Sequence, residues 1–482
     1  MRASFAVLAL AACGNDGGGS DGRMIRVSTT GGGTVSTENS LFDRFECGVQ
    51  CLGDFVFGEP VTFTATPDPG STFVGWSGLC IGTESRCTVT GDGYVAATFG
   101  PLYPAEAHDL AAVNAEVAVA HVGDALAVLE PHRLRRMAAD GTMEQISSLG
   151  LGGHPHFVQD QGTGDTAIIG TLDDDFVFDG IDFADPTRPR LVLQLAPDLH
   201  LIDSFEIPHT AVASLGPLGT AIAGYYSSEV RLEGFEGLDP GDSDVGLFVA
   251  LRDGAAWTAA MFDGAVVPTA MAQDAATNLW VALYVPESTS LGAQALAPGS
   301  YVAVFAPADP AVMAAKGPPM DLVHVRRVRG PSTFYPIEND MLVASGEMAG
   351  VDVVRIDGGF GDAWRQVFDV VESSWGCGNT FMAPSIALEE DAVWIAGGVC
   401  AGSLLAPSGP PLSTTGGYAL AMDLGTGTRR HALRLGSIAQ VIPGAERQIL
   451  AWPSEFNNTY YDLGPAATQS PGPFVLSIAT AP

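Results

Sequence analysis

"AIAGYYSSEVRLEGFEGLDPGDSDVGLFVALRDGAAWTAAM", residues 221 to 261, contains three short apolar runs, "AIAGYY", "VGLFVAL" and "AAWTAAM", separated by Gly, Asp, Pro and Ser. Runs of that length bounded by turn residues read as buried strands rather than helices. Three strands in so little chain cannot cover both of their own faces, so they need a neighbour of the same kind. The neighbours are present. Strands rich in small residues recur at "DALAVLE" (from Asp124), "DTAIIGT" (165), "GTAIAGY" (219), "NLWVALY" (278), "DMLVASG" (340), "AVWIAGG" (392) and "QILAWPS" (448). Their spacing is roughly 40 to 60 residues, the period of a repeat architecture.

Most of these anchors are followed by a variable polar stretch and a second strand: "PRLVLQLAPD", "VGLFVALRDG", "SYVAVFAPAD", "VDVVRIDGG", "YALAMDLGTG" and "PFVLSIATAP". A third strand usually follows, as in "AAWTAAMF" and "AWRQVFDV". Three or four strands per unit, each unit packed on the next, is the signature of propeller blades. Closure would pair the C-terminal "PFVLSIATAP" with strand material near residues 104 to 122, which would remove the exposed sheet edges. A pair of β-sandwiches is the competing architecture, and seven anchors at blade-like spacing argue against it. The copy at 221–261 and its relatives resemble the β-propeller repeats of large bacterial secreted proteins, the SBBP or delta-60 repeats; residues 110 to 165 are the weakest copy.

The composition agrees. Apolar residues make up 46% of the 482 and charged residues 16%, with 59 Gly and 32 Pro, a balance of many short strands and turns. Acidic residues outnumber basic ones 55 to 22, for a formal charge of −33, and Lys316 is the only lysine. Such a field repels phosphate backbones and argues against nucleic-acid binding. The dense basic cluster "HVRRVRG", His324 to Gly330, reads as a solvated strand face, with an anion site as the alternative.

Before the repeats, residues 24–100 alternate as strands: "MIRVSTT", "VTFTATPD", "CTVTGD", "YVAATF". The run "CGVQC … EPVTFTATPDPGSTFVGWSGLCIGTESRCTVTGDGYVAATF" resembles the bacterial repeat domain related to the Listeria and Bacteroides internalin B-repeat. That resemblance implies a small β-rich module with Trp76 in its core, used as a spacer or adhesive unit, and it brings no chemistry. The expected fold is therefore all-β: a small N-terminal repeat module followed by a β-propeller of about seven blades over 101–482.

At the N-terminus, Arg2 and the apolar run Phe5 to Ala12 read as a short signal peptide, residues 1–12, too short to cross a bilayer permanently. Leu10-Ala11-Ala12-Cys13 resembles the bacterial lipobox, which implies a mature chain that begins at a lipidated Cys13 and is anchored by acyl chains. Residues 13–23, "CGNDGGGSDGR", form a flexible glycine-rich tether. The six remaining cysteines, Cys47, Cys51, Cys80, Cys87, Cys377 and Cys400, suit a disulfide framework in an exported protein. Proximity favours 47 with 51, 80 with 87 and 377 with 400, although other pairings stay open. The last would close a loop of about 24 residues, for which chain entropy gives about 3 kcal/mol. Zinc held by the first four is the competing reading, at spacings unlike the usual knuckle.

Candidates for chemistry are few. His154 and His156 in "GGHPHFVQD" could share a metal with Asp160 or Asp165, but no third ligand stands at regular spacing. In "TLDDDFVFDGIDFAD" the carboxylates Asp173, Asp174, Asp175 and Asp179, with Asp182 and Asp185, are weak calcium candidates, since the EF-hand spacing is absent. "GWSGL" lacks the second glycine of a nucleophile elbow, and neither a Walker A loop nor a dinucleotide fingerprint appears. The expectation is no catalytic residue and no cofactor beyond that calcium. These features lead to a non-catalytic, lipid-anchored lipoprotein of the bacterial cell envelope, at the outer membrane or cell surface. Its partners would be the membrane, through the acyl chains, and an unidentified protein or glycan. The alternative is a periplasmic or surface propeller enzyme such as a polysaccharide hydrolase or lyase, with ionisable groups from several blades meeting in one pocket.

Overall fold

A computed structural model describes the chain between residues 22 and 478, apart from internal stretches of which 110–116, 239–244, 309–319, 372–383, 406–411 and 454–473 are the longest. Every regular element among the described residues is a β-strand. Eight of them, between Gly22 and Pro101, form two four-stranded sheets. One runs in the order Gln50–Val56, Gly22–Thr30, Gly93–Pro101, Ser71–Gly78; the other runs Asp43–Cys47, Gly33–Ser40, Val61–Pro67, Arg86–Val89. Their inner faces share a core of Ile25, Val27, Phe55, Phe63, Trp76 and Phe99. Phe45, Phe55 and Phe63 meet edge to face, as do Phe73 and Trp76 at 5.2 Å. The Trp76 indole donates to the Glu84 carbonyl at 2.7 Å, so its one polar atom is satisfied in the core.

The rest of the chain forms seven four-stranded antiparallel units, each a meander. Blade 1 is Ala118–Val122, Ala125–Glu130, Arg133–Met137 and Met143–Ser148. Blade 2 is Leu151–Gln159, Thr166–Leu172, Arg190–Leu195 and Leu201–Ile207. Blade 3 is Ala211–Gly216, Gly219–Tyr226, Gly246–Asp253 and Ala256–Asp263. Blade 4 is Val267–Gln273, Leu279–Val285, Gly299–Pro307 and Met320–Val328. Blade 5 is Ser332–Ile337, Asp340–Glu347, Gly350–Ile356 and Asp362–Val371, and blade 6 is Ser385–Glu389, Ala392–Leu405, Leu412–Asp423 and Arg429–Leu435. These two merge into one sheet where Asp369–Val371 pairs with Ser403–Leu405. Blade 7 takes three strands from the C-terminus, Ser437–Val441, Gln448–Pro453 and Phe474–Ile478, and its fourth, Ala105–Asp109, from the start of the ring. The expected pairing of "PFVLSIATAP" with residues after 104 is thus formed, by Phe474–Ile478 against Ala105–Asp109.

All seven small-residue anchors are second strands of blades, and the chemistry of the pattern is visible in the pairing. Gly224 sits opposite Phe248, and Gly397 opposite Tyr418. A Cβ at either glycine would overlap the facing ring. The third strand's aromatic therefore lies across the glycine, and the layers close. Trp280, fully buried, packs with Val302, Val304, Met341, Val343 and Val354, so blade 4 covers blade 5.

Arginine fastens the outer strands. Arg252 of blade 3 pairs with Asp203 of blade 2 at 2.5 Å and lies over the Phe205 ring at 3.8 Å. Arg326 of blade 4 grips Asp362 of blade 5 with both nitrogens, and Arg329 reaches Asp369 at 2.9 Å. A planar fork suits the two-nitrogen grip of Arg326 better than an ammonium would, a physical use for a basic set that contains a single lysine. Arg429 of the ring lies within electrostatic reach of Asp68 of the first two sheets: burial lowers that guanidinium's pKa, and the Asp68 carboxylate raises it.

Candidate functional site

An antiparallel meander puts the second-to-third connections of every blade at the same end of the ring as the links between blades. That end carries residues 173–189 in blade 2, the described part of 227–245 in blade 3, and 286–298 in blade 4. Blades 2, 3 and 4 build extra two-stranded hairpins there, Phe176–Phe178 with Ile181–Phe183, Val230–Leu232 with Phe235–Leu238, and Thr289–Leu291 with Gln294–Leu296. Blade 6 extends its own strands. The described connections at the opposite end are short, as at 217–218, 338–339 and 357–361.

A cavity of about 410 Å³ runs along the axis, lined by the first strands of the blades. Its wall includes Ala118, His156, Asp160, Val212, Phe334 and Ile442, and His156 and Asp160 are the ionisable groups among its described lining residues. The polar side chains at its edge are engaged in joining blades. Buried Gln273 donates to the Gly219 carbonyl at 2.8 Å and accepts from the Leu218 N–H at 3.0 Å.

A second depression, about 610 Å³, opens at the insertion-bearing end between blades 4 and 5. Arg327, Arg329, Arg365 and Glu347 line it with Gly299, Ser300, Gly330 and Pro331. Arg365 donates from Nε at 2.9 Å and Nη2 at 2.5 Å to Asp352, a carboxylate only 3% exposed. That pairing raises the pKa of Arg365. Arg329 contacts Asp369 and, at 3.6 Å, Glu347. Arg327 donates to the Pro298 carbonyl at 3.3 Å, and among the described residues no carboxylate pairs with it. Ser300, Gly330 and Pro331 also wall an adjoining apolar cavity of about 250 Å³ with Val267, Leu283 and Tyr284. Tyr284 is 49% exposed.

The residues singled out from sequence fall elsewhere. Cys13 and Cys377 lie outside the described residues, as does the side chain of Cys400. Cys47–Cys51 and Cys80–Cys87 are disulfides with Cα separations of 5.8 and 5.9 Å, which overturns the zinc alternative for these four. His156 reaches the axial cavity, while the His154 side chain lies outside the described residues. Among the described residues no three His, Cys, Asp or Glu side chains gather as a metal site.

The weak calcium candidates Asp173, Asp174, Asp175 and Asp179 are not gathered into such a cluster, and the cause is local. The N–H groups of Asp173 and Asp174 both donate to the Gly150 carbonyl, and a Cβ at Gly152 would overlap the Asp173 carboxylate. Asp179-Gly180 forms the two-residue turn between Phe178 and Ile181, both at positive φ, as an Asp-Gly hairpin requires. The Asp179 carboxylate accepts from the Leu201 N–H at 2.5 Å and faces His200 Nδ1 at 3.2 Å. Asp185 accepts from the Thr187 hydroxyl and N–H, which lower its pKa. Asp173, Asp179 and Asp185 thus serve separate turns or pairs.

Of the basic run, Arg326 and Arg329 join blades, whereas Arg327 is left to the groove. Arg365 and Tyr284 were not anticipated. Their signals are a lone arginine in "AWRQVFDV" and a tyrosine ending the anchor "NLWVALY", where most copies end in a small or polar residue.

Residues 23–101 match the model of the divergent InlB B-repeat domain. No curated protein matches the chain. Among solved structures, apo AztD from Citrobacter koseri is 9% identical over 85% of this chain and 96% of its own, with a TM-score of 0.31. The polysaccharide lyase Uly1 is 11% identical over 64% and 77%, at 0.33. A quinonprotein alcohol dehydrogenase-like protein from Bacteroides thetaiotaomicron is 7% identical over 85% and 93%, also at 0.33.

Proposed function

We propose that this chain is a non-catalytic lipoprotein of the bacterial cell envelope, held by acyl chains on Cys13, whose propeller binds a protein or glycan through the insertion-bearing end of the ring. The observation that carries the reading is the concentration of long connections, three of them with their own hairpins, at one end of a scaffold whose other end is mostly short turns. Binding surfaces tolerate such insertions because the packed strands beneath do not change. The alternative, a propeller hydrolase or lyase, calls for a proton donor and acceptor in one pocket. The described axial wall supplies His156 and Asp160, and in the groove Glu347 is engaged by Arg329 while guanidiniums do not exchange protons at neutral pH.

The test is co-sedimentation of the acylated chain with cell-wall saccharides and membranes of its host, with released reducing ends assayed in the same tubes. Binding without release, lost when residues 286–298 are replaced by a two-residue turn like that of blade 5, is the expected result. Release of reducing ends, or binding indifferent to that replacement, would overturn it. The intact mass of the membrane-extracted protein reports separately on the anchor, which adds acyl chains to a polypeptide starting at Cys13.

A further inference from the structure

We propose that the groove between blades 4 and 5 is a subsite for an acidic saccharide, taking a sugar carboxylate on Arg327 and Arg365 and a sugar ring on Tyr284. The inference rests on the reading of the insertion-bearing end as the binding surface and assigns its ligand class. At a formal charge of −33 the chain repels anions at long range, so any anion site must be built locally. Among the described lining residues of this cavity three guanidiniums stand against a single carboxylate, Glu347. Two of them are fixed from behind: Arg365 by buried Asp352, and Arg329 by Asp369. Arg327 is exposed and donates to the Pro298 carbonyl at 3.3 Å, and among the described residues its remaining donors meet no carboxylate.

The backbone is shaped to admit these groups. Gly299 and Gly350 adopt φ of +146° and +150°, where a side chain is strained. A Cβ at Gly299 would stand 3.2 Å from Arg327 Nη2, and one at Gly350 would overlap Arg329 Nη1. The wall of Ser300, Gly330 and Pro331 then continues into the apolar cavity, where exposed Tyr284 and Val267 sit opposite each other on paired strands. A guanidinium fork beside an exposed aromatic face matches a ligand with a carboxylate on a ring that has one apolar face, the chemistry of a uronate. A neutral sugar would leave the arginines unused, and a bare anion would leave Tyr284 unused. Both cavities fall within, or combine to, the size of small-molecule sites, roughly 300–1,000 Å³.

Isothermal titration of the full chain with a galacturonate trimer tests the assignment, alongside a neutral galactose trimer and sodium sulfate. The acidic trimer is expected to bind, and Arg327→Gln should weaken it by about tenfold or more while the melting temperature stays unchanged, because Arg327 is exposed. Tyr284→Ala should weaken it by a smaller factor. No binding of the acidic trimer, equal binding of the neutral one, an unaltered affinity in Arg327→Gln, or displacement of the trimer by sulfate at equal concentration would each overturn the subsite. If the subsite fails while replacement of 286–298 still abolishes envelope binding, the ligand class alone is wrong. Loss of both results ends the binding reading with it.

Discussion

The two β units of this molecule solve the same problem, covering sheet faces, in different ways. Residues 22–101 have two sheets and one shared core, and both disulfides of the described residues lie there, flanking that core. The ring has no disulfide among its described residues and relies on each blade to cover the next. Its clusters accordingly run across blades, as with Trp280 and the valines of blade 5. A small unit buries a modest fraction of its surface and gains most from a covalent staple. A closed array gains instead from having no exposed end, and here the closing strand Ala105–Asp109 leads the array while its partner Phe474–Ile478 ends it.

The largest effects should come from one tryptophan in each unit. Trp280→Ala removes a fully buried ring and one donor from the Asp274 carboxylate, which accepts the indole N–H at 2.8 Å. Trp76→Ala removes the ring packed on Phe73. Each should cost about 3–5 kcal/mol. Calorimetry should show two transitions, with Trp280→Ala lowering the ring's and Trp76→Ala the N-terminal unit's. If either change lowers both transitions equally, the units fold as one, and the electrostatic attraction between Asp68 and Arg429 would be the place to look.

What was legible in the sequence follows the same division. The second and third strands of the blades are sandwiched between neighbours, so they carry unbroken apolar runs such as "NLWVALY" and "YVAVFAP", and all seven anchors mark them. The first strands line the axis and carry mixed stretches such as "LGGHPHFVQ" and "VPTAMAQ", with prolines and polar side chains, so no period reveals them. The groove was half legible. "HVRRVRG" drew attention to Arg327, but Arg365, Tyr284 and Gly350 come from other strands, and only cross-strand and cross-blade packing brings them to one place. The carboxylates of the aspartate run do not gather into one cluster, because adjacent side chains alternate along strands and turns instead of converging.

Smaller changes sharpen the contrast. Asp274 is 1% exposed and accepts from the Asn278 N–H, the Asn278 amide and Trp280. Asp274→Ala strands those donors and should cost about 2–3 kcal/mol, read on the ring's transition alone. Reduction of Cys47–Cys51 and Cys80–Cys87 opens loops with sequence separations of 4 and 7, each worth about 2 kcal/mol by chain entropy. That loss should fall on the N-terminal transition. A drop in the ring's transition on reduction would mean that the ring, too, depends on a covalent tie.

The smallest expected effect concerns acid. At the short-turn end of blade 6, Arg430 grips both Asp391 and Asp423, and Thr426 donates its N–H and hydroxyl to Asp423 at 2.8 and 2.9 Å. These donors, Arg430 first, hold the Asp423 carboxyl down to about 2 from its ordinary 3.8. A carboxyl whose pKa is depressed on folding binds its proton more readily in the unfolded chain, so it adds stability above the ordinary value. That stability is lost as the pH falls through about 2. Asp423→Asn removes the linkage, so the gap between variant and parent in the ring's melting temperature should be constant above about pH 4 and close towards pH 2. Because the pair is exposed, the gap is small and shrinks further in high salt. A gap that persists unchanged to pH 2 would mean that Asp423 matters for the turn it caps rather than for its charge.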